Sequence, residues 1–352
     1  MLASPNLSVS QNQWAQSYVD SSRLSTLSVG LRAGRQQRPR LWILVLLSLA
    51  CDQSAAADRP TLIDRLLQLE LDRGSLCSEL QDSQAPRAQL SAAAARLREG
   101  LGTHERGTGS SDEAQQVVQA LNEVVFDHLG IRPSQDLHDP CNLFLSSVLA
   151  RKQGYCVGIA AVYLVLAEQL DLPVYAVATP SHVFLRYDDG KTRINIETFS
   201  RGAPTPNEQY IAEQRIAPRT LERGIFLRAL TADQFLAQVH NNLGVVYSHQ
   251  QNYAAATREY DTALRLHRDF PAAWYNWGKD LLLQGDYRKA IQYFSRALRL
   301  HPNDVWALNN RGLAYRSIGK EEKAQRDFEE ALRIEPGFDQ ATRNLAGVNS
   351  PR

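Results

Sequence analysis

The last third of the chain repeats itself every 34 residues. A glycine, then small and aromatic residues, return at the same places in each of three units. These residues are Gly244, Gly278 and Gly312; Ala256, Ala290 and Ala324; Tyr260, Phe294 and Phe328; and Ala263, Ala297 and Ala331. Small residues let the two helices of a unit approach closely, and such units bury their apolar faces by stacking. The pattern therefore predicts an all-α solenoid.

This period and these positions resemble the tetratricopeptide repeat. We expect three repeats over residues 236–350, with a final helix from Gly337 to Val348 covering the last apolar face. Arrays of this kind normally bind proteins or peptides in a concave groove. Places 2, 5, 9 and 12 of each unit predict a peptide-binding set, namely Tyr275, Lys279, Trp306, Asn309 and Arg316.

In this prediction Tyr275 and Trp306 hold an extended chain, and Lys279 and Arg316 contact its acidic groups. The groove departs from the carboxylate clamp of repeats that bind chaperone tails, because Val245 stands where that clamp has asparagine. The alternative is that Trp306 packs against the preceding domain, so that the groove is occupied from within the chain.

A hairpin upstream of the repeats brings a histidine and a carboxylate together. Asp189-Gly190 lies between two alternating runs, which is typical of a two-residue type I′ turn. With those residues as the loop, His182 falls directly opposite Glu197 on a mostly polar face. Opposed Cβ atoms lie about 4.5–5.5 Å apart, so the carboxylate can orient the imidazole. The alternative is an exposed cross-strand charge pair.

A cysteine precedes this hairpin. Cys156 opens a largely apolar run to Leu170, which predicts a buried helix. The first turn of a helix stabilises thiolate, the nucleophilic form of cysteine. With an imidazole in reach and a carboxylate behind it, Cys156 becomes a candidate nucleophile. Its alternative role is that of a small buried apolar residue.

Three short stretches carry a second resemblance: residues 154–158, 181–184 and 195–198. They resemble the transglutaminase-like core superfamily, and most closely its bacterial branch fused to tetratricopeptide repeats. The resemblance implies an α+β, papain-like domain over residues 58–230. By position it makes Cys156 the nucleophile, His182 the general base and Glu197 the orienting acid. Most of the superfamily has aspartate at the third place, and many members of this branch lack the cysteine.

The N-terminal region predicts a leader over residues 1–57. Residues 41–51 are largely apolar, too few to span a bilayer but typical of a signal peptide. The stretch 48–51 resembles a lipobox, which makes Cys51 a candidate lipidation site, whereas 55–57 is a competing site of ordinary signal cleavage. We therefore expect a bacterial envelope protein, either free in the periplasm or held to a membrane by its lipid. In that oxidising compartment Cys77 and Cys141 could pair, although the sequence does not give their distance.

Composition and motifs narrow the function classes. The net charge is +1 and no basic stripe is present, so nucleic acid is not expected as a partner. The eight histidines lack zinc-binding spacing and no phosphate loop occurs, so neither a metal nor a cofactor is expected. Two readings remain: cysteine-dependent acyl transfer by a peptidase, amidase or transamidase acting on a protein or peptide, or a non-catalytic scaffold whose repeats carry the main function.

Overall fold

The computed structural model describes residues 60–74, 76–77, 83–102, 110–136 and 138–349. The predicted leader and the candidate lipidation site Cys51 lie outside these residues. No helix in the described part is long and apolar enough to cross a membrane.

The first described segments are helical. Thr61 and Asp64 form a reciprocal capping box that starts the first helix, satisfying backbone N–H groups that have no partner within the helix. The third helix, Ser111–Asn122, continues directly into a π-helix at Glu123–His128. The elements are α1 (Leu62–Asp72), α2 (Gln84–Leu101), α3 (Ser111–Asn122), β1 (Arg132–Pro133), α4 (Leu145–Arg151) and β2 (Gln153–Gly154).

A disulfide joins Cys77 to Cys141, with their Cα atoms 5.6 Å apart. It ties the segment after α1 to the 3-10 helix Pro140–Asn142, which precedes α4. The pairing that the sequence left open is therefore present in the fold.

A buried helix and a three-stranded antiparallel sheet form the centre of the first part of the molecule. These elements are α5 (Cys156–Leu170), β3 (Val174–Ala178), β4 (Val183–Asp188) and β5 (Arg193–Ile196), with strand order β3-β4-β5. The apolar face of the β4–β5 hairpin, which includes Val183 and Leu185, joins α5 in one hydrophobic core. Burial on nearly all sides explains why the sequence of α5 is apolar throughout.

The hairpin turns later than the sequence predicted. Asp188 pairs with Arg193 rather than with Lys191, a shift of two residues. Gly190 has a φ of 85°, whereas Lys191 does not have a positive φ. The loop is therefore Gly190-Lys191, with glycine at the first central position as in a type II′ turn, and not the predicted type I′ turn at Asp189-Gly190.

The side chain of Asp189 accounts for this turn. Its Oδ1 accepts hydrogen bonds from the backbone N–H groups of Lys191 at 2.8 Å and Thr192 at 2.6 Å, so Asp189 acts as the residue that closes the loop. Side chains alternate with a period of two, and a shift of two residues leaves every side chain on its predicted face. His182 and Glu197 therefore meet, although they are not directly opposite as predicted.

Two short helices follow the hairpin, α6 (Asn207–Glu213) and α7 (Pro218–Glu222). The loop between β5 and α6 returns to the sheet, where Glu197 N donates to Ala203 O at 3.1 Å. Helix α6 lies over the polar face of the hairpin, through the stacking of Tyr210 on Phe184.

Consecutive antiparallel helices make up the rest of the described chain, as the 34-residue period predicted. Each glycine of the repeat lies against the aromatic ring of its own unit: a Cβ at Gly244 would collide with Tyr260, and one at Gly312 with Phe328. The helices are α8 (Ala232–His249), α9 (Tyr253–Leu266), α10 (Pro271–Leu283), α11 (Tyr287–Leu300), α12 (Val305–Ser317), α13 (Glu321–Ile334) and α14 (Asp339–Asn349). The fold is thus a mixed α and β region followed by a helical solenoid.

The solenoid is continuous with the first part of the molecule. Phe235 and Leu236 of α8 belong to the same hydrophobic core as α5. Arg73, just after α1, forms an ion pair with the buried Glu259 of α9, with 2.7 Å between Nε and Oε1. The first repeat therefore packs directly on the mixed α and β region.

Candidate active site

Cys156 is the first residue of α5, as the sequence predicted. Tyr155 precedes it with extended backbone (φ −78°, ψ 168°) and makes no side-chain cap on the helix. The N–H of Tyr155 donates to Asn142 O at 2.9 Å, and a Cβ at Gly158 would collide with that same carbonyl. Glycine is thus needed at 158, because it lets the first turn of α5 rest on the backbone before α4. The first N–H groups of α5 have no partner within the helix, and the side chain of Tyr155 does not cap them.

The three predicted site residues come together. His182 Nε2 lies 3.0 Å from Oε1 and 2.9 Å from Oε2 of Glu197. The imidazole also lies beside the Cys156 side chain, which is one of the groups that raise the pKa of His182. Since Nε2 faces the carboxylate, Nδ1 is the nitrogen that is left for the thiol.

Electrostatics favour a charged imidazole in this arrangement. Burial alone lowers the pKa of His182, but the charges of Glu197 and Cys156 outweigh it and raise that pKa to about 10. Burial acts to raise the pKa of Glu197, yet the charge and hydrogen bonds around it, from His182 first, hold that pKa below its usual value. The site can therefore keep an imidazolium beside the sulfur of Cys156, and an imidazolium neighbour favours the thiolate form in which cysteines attack carbonyls.

Two further groups hold Glu197, and the sequence did not reveal them. The hydroxyl of Tyr210 donates to Oε2 at 2.6 Å, and the N–H of Phe199 donates to Oε1 at 3.0 Å. Tyr210 lies on α6, in a segment whose secondary structure no periodic sequence pattern predicted. The fold alone places it against the carboxylate.

The thiol also has a second neighbour. Tyr155 is that neighbour: burial first, and then the charge and hydrogen bonding of Cys156, raise the pKa of Tyr155. Tyr155 and Cys156 are adjacent in the sequence, but adjacent residues at the start of a helix need not point to the same side. Only the structure shows that the phenol of Tyr155 lies near Cys156.

The predicted groove residues of the third repeat lie against the last helix. The Trp306 ring meets Phe338 edge-on, with ring centroids 4.6 Å apart. Asn309 Oδ1 accepts from Asn344 Nδ2 at 2.7 Å, and Arg316 Nη1 donates to Asn344 O at 3.3 Å. The ring of Trp306 thus contacts the residue just before α14, and not the preceding domain as in the predicted alternative.

A ladder of polar contacts links the first helices of successive repeats. Asn276 donates to Asn241 at 2.9 Å and Asn310 donates to the Tyr275 hydroxyl at 3.2 Å, each at the same repeat position as the contact between Asn344 and Asn309. Tyr275 and Asn309 therefore help to hold neighbouring repeats together, whatever else they bind. Lys279 is half-buried, and burial lowers its pKa.

Comparison with known families matches both parts of the chain. A model described as the transglutaminase-like superfamily matches residues 84–246, and a tetratricopeptide repeat model matches residues 235–300 and 269–335. The chain carries a transglutaminase-like domain followed by tetratricopeptide repeats. Within the described part of this domain, no group of three or more His, Cys, Asp or Glu side chains is arranged to hold a metal ion.

Individual relatives cover the chain only in part. F-box only protein 21 of Homo sapiens is 33% identical over 85 residues, which is 24% of this chain and 14% of that protein. UPF0162 protein PA3419 of Pseudomonas aeruginosa is 24% identical over 157 residues, which is 45% of this chain and 56% of that protein. The chain therefore spans less than two thirds of either relative. Among solved structures, the Arabidopsis OM64 TPR domain is 20% identical with a TM-score of 0.33, covering 33% of this chain and 97% of that one.

Proposed function

We propose that the transglutaminase-like domain performs cysteine-dependent acyl transfer on a protein or peptide, as a peptidase, amidase or transamidase. The observation that carries this proposal is the bidentate contact between His182 and Glu197, at 2.9 and 3.0 Å, on an imidazole that also contacts Cys156. A cysteine kept only for packing needs neither an imidazole nor a carboxylate behind it.

The chemistry follows from these positions. The thiolate of Cys156 attacks the carbonyl carbon of an amide, forming a carbon–sulfur bond and a tetrahedral oxyanion. His182 gives its proton to the departing nitrogen as the carbon–nitrogen bond breaks, which leaves a thioester on Cys156. Water or an amine then attacks the thioester and gives its proton to His182. The carbon–sulfur bond breaks, which releases the acyl group and restores the thiolate of Cys156. The N–H of Cys156 at the start of α5 is the oxyanion donor that the fold offers.

The repeats, in this proposal, bring a protein or peptide partner to the domain. Tyr275 and Lys279 belong to the second repeat, and Trp306, Asn309 and Arg316 to the third, where α14 contacts them. An incoming chain would therefore bind either to the second repeat, next to α14, or to the third repeat, where it would have to displace α14. A pull-down with the Tyr275→Ala/Trp306→Ala variant tests this. Loss of partners with an unchanged melting temperature supports the groove, whereas retained partners place binding elsewhere.

We also propose that the protein works in the bacterial envelope. The disulfide between Cys77 and Cys141 supports an oxidising compartment, where such bonds persist. Fractionation of cells tests the lipid anchor: Cys51→Ser should move the protein from the membrane to the soluble fraction. Full-length chain in the cytosol, with Cys77 and Cys141 as free thiols, would refute this location.

A thiol-reactive probe decides whether the domain is a catalyst. Cys156 should react faster than an unfolded-chain thiol at neutral pH, and Cys156→Ser should abolish the labelling. Incubation with a peptide library and a fluorescent amine then separates hydrolysis from transamidation by the mass of the products. Labelling at the rate of an ordinary thiol would leave the domain without an activated nucleophile.

The second candidate function is a scaffold without turnover. Cys156 is only 2% exposed, which favours this reading because a substrate carbonyl must reach the sulfur. In that situation the repeats carry the main function, and the first domain serves as their platform.

A further inference from the structure

Helix α6 is fastened to the polar face of the hairpin by buried side chains. Asn207, at the start of α6, accepts through Oδ1 from Arg186 Nη2 at 2.8 Å and from Asn195 Nδ2 at 2.9 Å. Arg186 Nε in turn donates to Asn195 Oδ1 at 2.8 Å, so the two strand residues support each other. Arg186 is 4% exposed and Asn195 is 9% exposed. Such buried groups hold α6 firmly, because releasing it would leave their donors without acceptors.

This fastening fixes the place of Tyr210. The Tyr210 ring stacks on Phe184 with centroids 4.4 Å apart and planes 4° apart. Its hydroxyl donates to Glu197 Oε2 at 2.6 Å, on the oxygen that lies 2.9 Å from His182 Nε2. Tyr210 is 4% exposed, so water does not take over this contact.

We infer that Tyr210 is a positioning residue that keeps Glu197 ionised and oriented toward His182. The inference rests on the proposed function of Cys156. A carboxylate in a buried site stays charged only when hydrogen-bond donors replace the water that it has lost. Tyr210 supplies such a donor, and it also fixes the rotation of the carboxylate so that both oxygens face Nε2. A fixed Nε2 aims Nδ1 at the thiol.

The Tyr210→Phe variant tests this because it removes the hydroxyl and keeps the ring on Phe184. The matched control is Tyr163→Phe on α5, which removes a buried hydroxyl bonded to Asn122 Oδ1 at 2.7 Å and not to the Glu197 carboxylate. The full chain is labelled with carboxyl-¹³C glutamate, and the Glu197 signal is assigned by its loss in Glu197→Gln. The pKa of Glu197 should rise by about one unit in Tyr210→Phe and stay unchanged in the control.

A second readout follows Cys156 itself. Alkylation of Cys156 in Tyr210→Phe should be slower than in wild type at acid pH, by at most about tenfold, and within about twofold of wild type at pH 8. Releasing α6 with Asn207→Ala should shift both readouts in the same direction with Tyr210 intact. This second variant provides the test if Tyr210→Phe does not fold.

The outcomes separate the inference from the function on which it rests. An unchanged Glu197 titration in a folded Tyr210→Phe variant overturns the inference, but it does not contradict the proposed activation of Cys156. A shifted titration, with a wild-type Cys156 that reacts no faster than an unfolded-chain thiol, supports the contact between Tyr210 and Glu197 and overturns the proposed catalysis.

Discussion

Phe199 stacks on His182, with ring centroids 5.3 Å apart and planes 23° apart. The same ring meets Tyr155 edge-on at 5.5 Å. Both of its neighbours lie beside Cys156, which is 2% exposed. Phe199, which is half-buried, thus belongs to an aromatic cover over the candidate nucleophile.

The first prediction is that Phe199→Ala opens the site. Alkylation of Cys156 by iodoacetamide should become at least about threefold faster, because removing the ring takes away a wall of the cover without touching a hydrogen-bonding side chain. Phe126→Ala removes an aromatic ring that packs on Tyr163 and under Arg201 instead of on His182, and it should leave the rate unchanged. A slower reaction in Phe199→Ala would mean that the ring holds His182 in place more than it hides the thiol.

The second prediction concerns pH. The charges of Glu197 and Cys156 raise the pKa of His182 to about 10, so the imidazolium form predominates at pH 7 and is lost as the pH rises through about 10. The alkylation rate of Cys156 should therefore vary little between about pH 7 and 9. In Glu197→Gln the burial of His182 is no longer offset by that charge, and the rate at pH 7 should fall about tenfold or more. Glu213→Gln, an exposed change on α6, is the control. Equal rates in both variants would contradict the role of Glu197.

The third prediction concerns a buried acid between the first two repeats. Burial raises the pKa of Asp280 to about 6, and Ser248 donates its hydroxyl to Oδ1. An acid whose pKa is raised by folding stabilises the fold below its ordinary pKa of 3.8, and this contribution is lost as the pH rises through about 6. The free energy of unfolding of wild type should fall by about 2–3 kcal/mol relative to Asp280→Asn between pH 4 and 7. Chemical denaturation at several pH values measures this, and parallel curves would exclude a buried charge at 280.

The fourth prediction concerns the disulfide. Cys77 and Cys141 are separated by 64 residues, and closing a loop of that length in the unfolded chain stabilises a fold by about 4 kcal/mol in the chain-entropy estimate. The Cys77→Ser/Cys141→Ser variant should unfold at correspondingly lower denaturant concentration, and reduction should lower the wild-type midpoint to the same value. If reduction has no effect on wild type, the bond does not form in solution.

Local sequence rules determined much of this molecule. The 34-residue period predicted the solenoid because each unit must bury the same face against its neighbours. The apolar run from Cys156 predicted a buried helix that starts at the cysteine, and strand alternation predicted which face His182 and Glu197 share. These features follow from spacing along the chain, so they can be read without knowledge of distant contacts.

The turn shows where such rules reach their limit. Asp189-Gly190 predicts a hairpin, but the side chain of Asp189 bonds to the N–H groups of Lys191 and Thr192 and so decides which two residues form the loop. The loop lies one residue later than predicted, which shifts the strand pairing by two residues. Because side chains alternate with a period of two, their faces were still predicted correctly.

Tertiary structure alone decided the surroundings of the site. Tyr210 reaches Glu197 because buried Arg186 and Asn195 hold α6, and Trp306 meets Phe338 because α14 folds back on the third repeat. The sequence by itself determined the three residues of the candidate site, since each lies in an element with a local signature. Their partners come from segments whose positions depend on long-range packing, and no spacing along the chain encodes a contact of that kind.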